Sequence, residues 1–157
     1  MLSRTADNLF WLSRYVERAE YLARILDATQ RLSALPLAYV GTGNEWESAV
    51  LTAGCAASFF KSYETATEEN VTDFLAFSAA NPSSIRNCFE MARGNARAVR
   101  TALTGEMWDA INGTWLELKR YGNGPPPLTP PRRYAGGGER RPARRIIGRI
   151  NALTHRR

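Results

Sequence analysis

The residues best suited to chemistry are carboxylates and guanidinium groups that recur at helical spacing in two stretches of the chain. At about 100° per residue, Glu17, Glu20 and Arg24 fall on one helical stripe, and a neighbouring stripe holds Arg14 and Arg18. Planar guanidinium groups are well matched to carboxylates and phosphates. The candidate residues of the two stretches are Arg4, Asp7, Arg14, Glu17, Arg18, Arg86, Glu90, Arg93 and Arg97.

Three interpretations of these charges stay open. They form solvated helix faces with helix-strengthening pairs, or a structural ion-pair network, or a site for an anion or carboxylate ligand. Aromatic neighbours of the first stretch (Phe10, Trp11 and Tyr21) are unusual on a purely solvated face and favour an interface or an internal network. Pairing with the second stretch, residues 86–100, is expected for Asp7, Arg14, Glu17 and Arg18.

Familiar catalytic groups are scarce. The only histidine, His155, is two residues from the C-terminal end, which argues against Ser–His–Asp or Cys–His catalysis and a histidine-based zinc site in the preceding region. Cys55 and Cys88 have a spacing that fits neither a disulfide framework nor a metal knuckle, and we expect two buried thiols. We therefore predict no metal and no cofactor. Enzymatic activity stays open, with a non-catalytic role preferred.

Hydrophobic periodicity indicates that the candidate residues lie on helices. Apolar residues recur every three or four positions in both stretches, whereas no segment alternates like a strand between turn signals. The predicted fold is all-α: an antiparallel bundle of about five helices with a disordered Arg/Pro/Gly-rich C-terminal tail. The helices are predicted to end near Leu35, to cover residues 45–63 and 68–78, to open at Asn81-Pro82, and to start near Gly105.

The charge of the chain is divided unevenly. The net charge is +6, but residues 1–122 carry 12 basic and 14 acidic side chains, and residues 123–157 carry nine arginines and one acid. We predict a helical domain over 1–122, and a basic low-complexity segment over 123–157 that is disordered or read out of frame. Nucleic-acid binding is disfavoured because the positive charge belongs to this segment. No apolar run approaches a membrane span or a signal peptide, so we expect no membrane contact and a cytoplasmic location.

Residues 1–20 resemble the opening of the alpha-E family, a bacterial all-helical domain named for a Glu-Arg motif, here Glu17-Arg18. A second stretch, Asn81-Pro82-Ser83-Ser84-Ile85-Arg86 with Arg93 and Arg97, is similar to the second signature of that family. The resemblance covers roughly residues 1–120, the N-terminal part only. It implies a domain without established activity whose members are longer than this chain. A truncated domain would leave faces around Trp11, Trp108 and Trp115 open.

The resemblance also implies partners, because alpha-E genes lie beside a circularly permuted ATP-grasp enzyme and a transglutaminase-like peptidase. The expected function is an accessory or interaction module that acts with an ATP-grasp-type amide ligase in bacterial peptide or amide-bond metabolism. The alternative is a carboxylate- or peptide-binding or catalytic helical domain that uses Glu17 and the arginine cluster.

Overall fold

The computed structural model describes residues 2–35 and 44–122, and within these ranges it contains helices and turns without a strand. The all-α prediction is therefore confirmed for this part of the chain. Residues 36–43 and the segment 123–157, where the disordered tail was predicted, lie outside the described residues. No described helix is long and apolar enough to cross a membrane. The helices are α1 (Leu2–Ser33), α2 (Glu45–Thr52), α3 (Ala56–Phe59), α4 (Glu68–Thr72) with a π-helical continuation (Asp73–Phe77), α5 (Ile85–Ala98), a 3₁₀ turn (Arg100–Ala102) and α6 (Gly105–Gly122).

The most extensive packing in the fold joins α1 to α5. Leu12, in the first half of α1, clusters with Ala96 near the end of α5. Leu26, in the second half of α1, clusters with Ile85 at the start of α5. The two helices are therefore antiparallel. Small side chains at a helix–helix contact permit close approach, and the fully buried alanines of the two helices are Ala19, Ala23, Ala92 and Ala96.

A cluster of aromatic rings fills the core beneath the short helices. Phe59 of α3 stacks on Tyr63 at 5.1 Å between ring centroids and meets Phe74 edge to face at 5.3 Å. Phe59 and Phe74 are buried with Val50 of α2 and Val71 of α4 in the same cluster as the second half of α1. Burial of large apolar and aromatic side chains such as these is the dominant stabilising contribution in a small domain. It holds the short helices against one half of the α1–α5 pair.

The predicted helix over residues 45–63 is wrong in one respect, because it divides into α2 and α3. Gly54 between them has φ of +69°, a left-handed conformation that ends a helix and that glycine adopts without steric penalty. The backbone N–H of Gly54 donates to the carbonyl of Leu51 at 2.9 Å. Asn44 caps the start of α2 by accepting from the N–H of Trp46 at 3.0 Å. A single glycine within an otherwise helical pattern concealed the break.

The predicted start of the fourth helix at Asn81-Pro82 is also wrong. Ser84 caps α5, and its hydroxyl accepts from the N–H of Asn87 at 3.3 Å. Asn81 instead connects two elements: its Nδ2 donates to the carbonyl of Phe74 at 3.2 Å, and its Oδ1 accepts from the N–H of Ser83 at 3.0 Å. Asn81 is buried, so these bonds satisfy a side chain that water cannot reach.

Gly54 and Gly94 offer a matched test of this description. An added Cβ at either glycine would have no neighbour within 4 Å, so only backbone conformation separates the two sites. We predict that Gly54→Ala destabilises the fold by about 1 kcal/mol because alanine resists positive φ. Gly94→Ala, inside α5, should stabilise it by about 0.5–1 kcal/mol. Urea unfolding followed by circular dichroism measures both changes. Equal effects of the two substitutions would contradict the break at Gly54.

Candidate functional site

An open groove of about 240 Å³ lies on the side of α1 that faces away from the core. Its lining residues are Arg14, Glu17, Arg18 and Tyr21. These positions follow the i, i+3, i+4, i+7 spacing of one helical stripe, whereas the buried residues of α1 follow another. The periodicity that buries Leu12, Ala19 and Leu26 thus directs the four groove residues outward.

Two polar contacts organise the groove. Arg14 Nη1 donates to Glu17 Oε2 at 3.0 Å within one helical turn, and both side chains are more than half exposed, at 56% and 58%. The Tyr21 hydroxyl donates to the carbonyl of Thr52 at 3.0 Å, which ties α1 to the end of α2. The prediction that Glu17 forms an ion pair with the second stretch is therefore wrong, because its ion pair is with Arg14 on α1. The nearest opposite charge is on its own helix, where no loop must close to bring the two together.

Arg18 carries the uncompensated charge of the groove. Among the described residues its exposed guanidinium donates no hydrogen bond and forms no ion pair. Its effect reaches Cys88 on α5: burial raises the pKa of the Cys88 thiol to about 11, and the positive charge of Arg18 opposes part of that rise. Arg18 is thus close to α5 and at the same time exposed to solvent.

Two candidate residues of α5, Glu90 and Arg93, belong to a separate cluster shared with α6. Arg93 Nε donates to Asn112 Oδ1 at 2.8 Å, and its guanidinium carbon lies 4.0 Å from the centroid of the Trp115 ring. Trp115 Nε1 donates to Glu90, and Lys119 Nζ lies 5.1 Å from the same ring. These groups satisfy one another between two helices. Glu90 and Arg93 therefore take part in a contact between helices, but their hydrogen-bond partners are on α6 rather than α1 and are uncharged.

The remaining candidates are Arg4, Asp7, Arg86 and Arg97. Arg4 and Asp7 are exposed near the start of α1, Arg97 is exposed on α5, and Arg86 is half-buried near the start of α5. Sequence reasoning missed Thr52 and Asn112 as partners. Neither could be identified from the sequence, because the backbone carbonyl of Thr52 and the neutral amide of Asn112 become partners only through the packing of helices.

Exposed aromatic rings extend the groove toward the N-terminal end of α1. Phe10, Trp11 and Tyr21 are 56%, 45% and 49% exposed, and Phe10 and Trp11 meet edge to face at 5.4 Å. The expected exposure of Trp11 is confirmed. Trp108 and Trp115 are instead half-buried, because the guanidinium groups of Arg100 in the 3₁₀ turn and Arg93 on α5 lie over their rings. We call Phe10, Trp11, Arg14, Glu17, Arg18 and Tyr21 the motif face.

Within residues 2–35 and 44–122, no group of three or more histidine, cysteine or carboxylate side chains is arranged to hold a metal ion. Cys55 and Cys88 are both free thiols, Cys88 buried and Cys55 half-buried. Burial also raises the pKa of the Cys55 thiol. Thiols with raised pKa values carry little thiolate at neutral pH and are poor nucleophiles. The chemistry of the motif face is therefore ionic and aromatic contact.

The fold and the motif face define the class: an all-α domain with a Glu-Arg pair exposed on its longest helix. Residues 1–153 match the Alpha-E family, described as a predicted alpha-helical domain with a conserved ER motif, and the chain belongs to that family. The match continues past residue 120, where sequence analysis ended the resemblance, and includes most of the segment 123–157. No curated protein and no solved structure matches the chain significantly.

The exposure of the Arg14–Glu17 pair predicts a small energetic role for Glu17. A buried Glu17 would cost about 3–5 kcal/mol to remove, because an arginine would be stranded. An exposed pair contributes about 0–1 kcal/mol, so Glu17→Ala should change the free energy of unfolding by less than about 1 kcal/mol. Arg93→Ala removes a hydrogen bond and a cation–π contact and should destabilise by about 1–3 kcal/mol. Urea unfolding compares the two variants. A greater loss for Glu17→Ala than for Arg93→Ala would contradict this placement.

The raised pKa of Cys88 predicts a decline in stability at alkaline pH. The pKa of the thiol is about 9.0 in the unfolded chain, and burial raises it to about 11 in the folded chain. Folding therefore favours the protonated thiol, so this contribution is complete below pH 9 and is lost as the pH rises toward 11. Chemical unfolding between pH 8 and 11 should show a shallower decline in Cys88→Ala than in the unsubstituted chain. Parallel curves would contradict the assignment.

Proposed function

We propose that this chain is a protein-interaction module that uses the motif face to dock onto an ATP-grasp-type amide ligase in bacterial peptide or amide-bond metabolism. The observation that carries the proposal is the exposure of Glu17-Arg18 beside exposed Phe10 and Trp11. Aromatic residues and arginine are enriched where proteins bind each other, and they supply most of the energetically dominant contacts.

An interaction role agrees better than catalysis with the geometry of the groove. Glu17 is paired with Arg14 and more than half exposed. A general acid or base works best in a site that excludes water and adjusts its pKa. The groove is open, and its carboxylate and arginine hold each other on the surface of one helix. The alternative, a ligand-binding domain based on Glu17 and the arginines, is supported by one feature: the guanidinium of Arg18 has no ion pair in the part of the chain that the structure describes.

The partner class is taken from the resemblance to the alpha-E family, whose genes lie beside an ATP-grasp enzyme and a transglutaminase-like peptidase. The charge of the motif face supports a protein partner over a nucleic acid. Arg14 is compensated by Glu17, which leaves little positive charge for a row of phosphates. A cytoplasmic location follows from this proposal, because ATP-grasp ligases consume ATP.

The test is a titration of the chain with the ATP-grasp-type ligase encoded in the same genome. We expect Trp11→Ala and Arg18→Gln each to weaken binding by at least about tenfold, as dominant interface residues do. Matched controls are Met107→Ala and Arg31→Gln, which alter an exposed apolar and an exposed charged residue outside the motif face. Isothermal titration calorimetry measures the affinities.

Absence of binding by the unsubstituted chain would overturn the proposal. Equal weakening by the control substitutions would show that the motif face is not the contact surface. Circular dichroism of each variant separates a lost contact from a lost fold, because all four substituted side chains are at least partly exposed.

A further inference from the structure

We infer that the groove formed by Arg14, Glu17, Arg18 and Tyr21 recognises the carboxyl terminus of a partner polypeptide, binding its terminal carboxylate and the last backbone N–H. This inference rests on the proposed function, in which the motif face docks a protein, and it specifies the chemistry of the docked element.

The charge of the groove matches one carboxylate. Arg14 and Glu17 neutralise each other at 3.0 Å, which leaves the single positive charge of Arg18. A guanidinium group binds a carboxylate through two parallel hydrogen bonds, and within residues 2–35 and 44–122 no hydrogen bond or ion pair of Arg18 must first be broken. A polyanion would bring more negative charge than the groove can compensate, and it would place some of that charge against Glu17.

The hydrogen-bond acceptors of the groove distinguish a chain terminus from an acidic side chain. The Tyr21 hydroxyl already donates its proton to Thr52, so toward a ligand it can only accept. Glu17 accepts from Arg14 through Oε2, which leaves acceptor capacity on Oε1. A C-terminal residue presents its own N–H next to its carboxylate and can satisfy a donor and an acceptor together. An aspartate or glutamate side chain offers acceptors alone, so the free acceptor of Glu17 would find no donor on it.

The size of the groove also favours the end of a chain over a complete small molecule. Its volume of about 240 Å³ is smaller than the roughly 300–1,000 Å³ typical of small-molecule pockets. Exposed rings neighbour the groove residues on α1, because Trp11 is three residues before Arg14 and Phe10 is four. A terminal apolar side chain would lie against these rings while its carboxylate meets Arg18.

The test is a nuclear magnetic resonance titration of the ¹⁵N-labelled full chain with four probes. They are acetyl-Ala-Ala-Leu with a free carboxylate, the same peptide with a C-terminal amide, acetyl-Ala-Glu-Ala with a C-terminal amide, and free leucine. We expect the free-acid peptide to shift the Arg18 Nε–H and Trp11 indole signals. The other three probes should bind at least about tenfold more weakly, the ratio that loss of one good polar contact produces.

Arg18→Gln should abolish the response to the free-acid peptide, whereas Arg31→Gln on the same helix should preserve it. Equal binding of the amidated peptide or of the glutamate peptide would overturn recognition of a terminus. Equal binding of free leucine would make the ligand an amino acid instead of a chain. No response to the free acid would also overturn the inference. If Arg18→Gln and Trp11→Ala nevertheless weaken binding of the ligase, the proposed function stands without it.

Discussion

Close antiparallel packing of α1 on α5 is the constraint on which the rest of the fold depends. Fully buried alanines on both helices permit this approach, and larger apolar residues interdigitate around them, among them Leu12, Leu26 and Phe89. Enlarging a buried alanine would separate the helices and destabilise the fold by about 1–3 kcal/mol or more. Because one stripe of α1 is committed to this contact, the stripe that contains Glu17 and Arg18 must face outward. Exposure of the Glu-Arg motif is thus a consequence of core packing.

The two sets of charged residues have different physical roles for the same reason. Glu90 and Arg93 lie where α6 packs on α5, so Trp115 and Asn112 become their partners and complete a structural cluster. Arg18 meets no such helix among the described residues and keeps its hydrogen-bonding capacity for a partner. Two arginine-rich stretches that look similar in sequence therefore have different roles. The stretch on α5 contacts α6, whereas the stretch on α1 is exposed.

Periodicity predicted the core well and the contacts less well. In the second stretch the repeated apolar spacing includes Ile85, Phe89 and Val99, and all three are buried, because this spacing places apolar side chains on one side of a helix. The break at Gly54 could not be read from the pattern, since glycine is tolerated within helices and its positive φ leaves no mark on the apolar spacing. The partner of Glu17 was misassigned because a neighbour three residues away competes successfully with any distant charge. The hydrogen bond from Tyr21 to the Thr52 carbonyl depends on where α2 packs, and residue types alone do not predict it.

Hydroxyl-radical footprinting of the free chain tests most directly the central claim that packing on α5 leaves the motif face open. Radicals oxidise aromatic and sulfur-containing side chains in proportion to their access to solvent. We predict rapid oxidation of Phe10, Trp11 and Tyr21, at rates comparable, after correction for intrinsic reactivity, with the exposed Met91 and Met107. The buried Phe59 and Phe74 should be protected. Protection of Trp11 and Tyr21 to the level of these core residues would contradict the account, because it would place the Glu-Arg motif inside the fold.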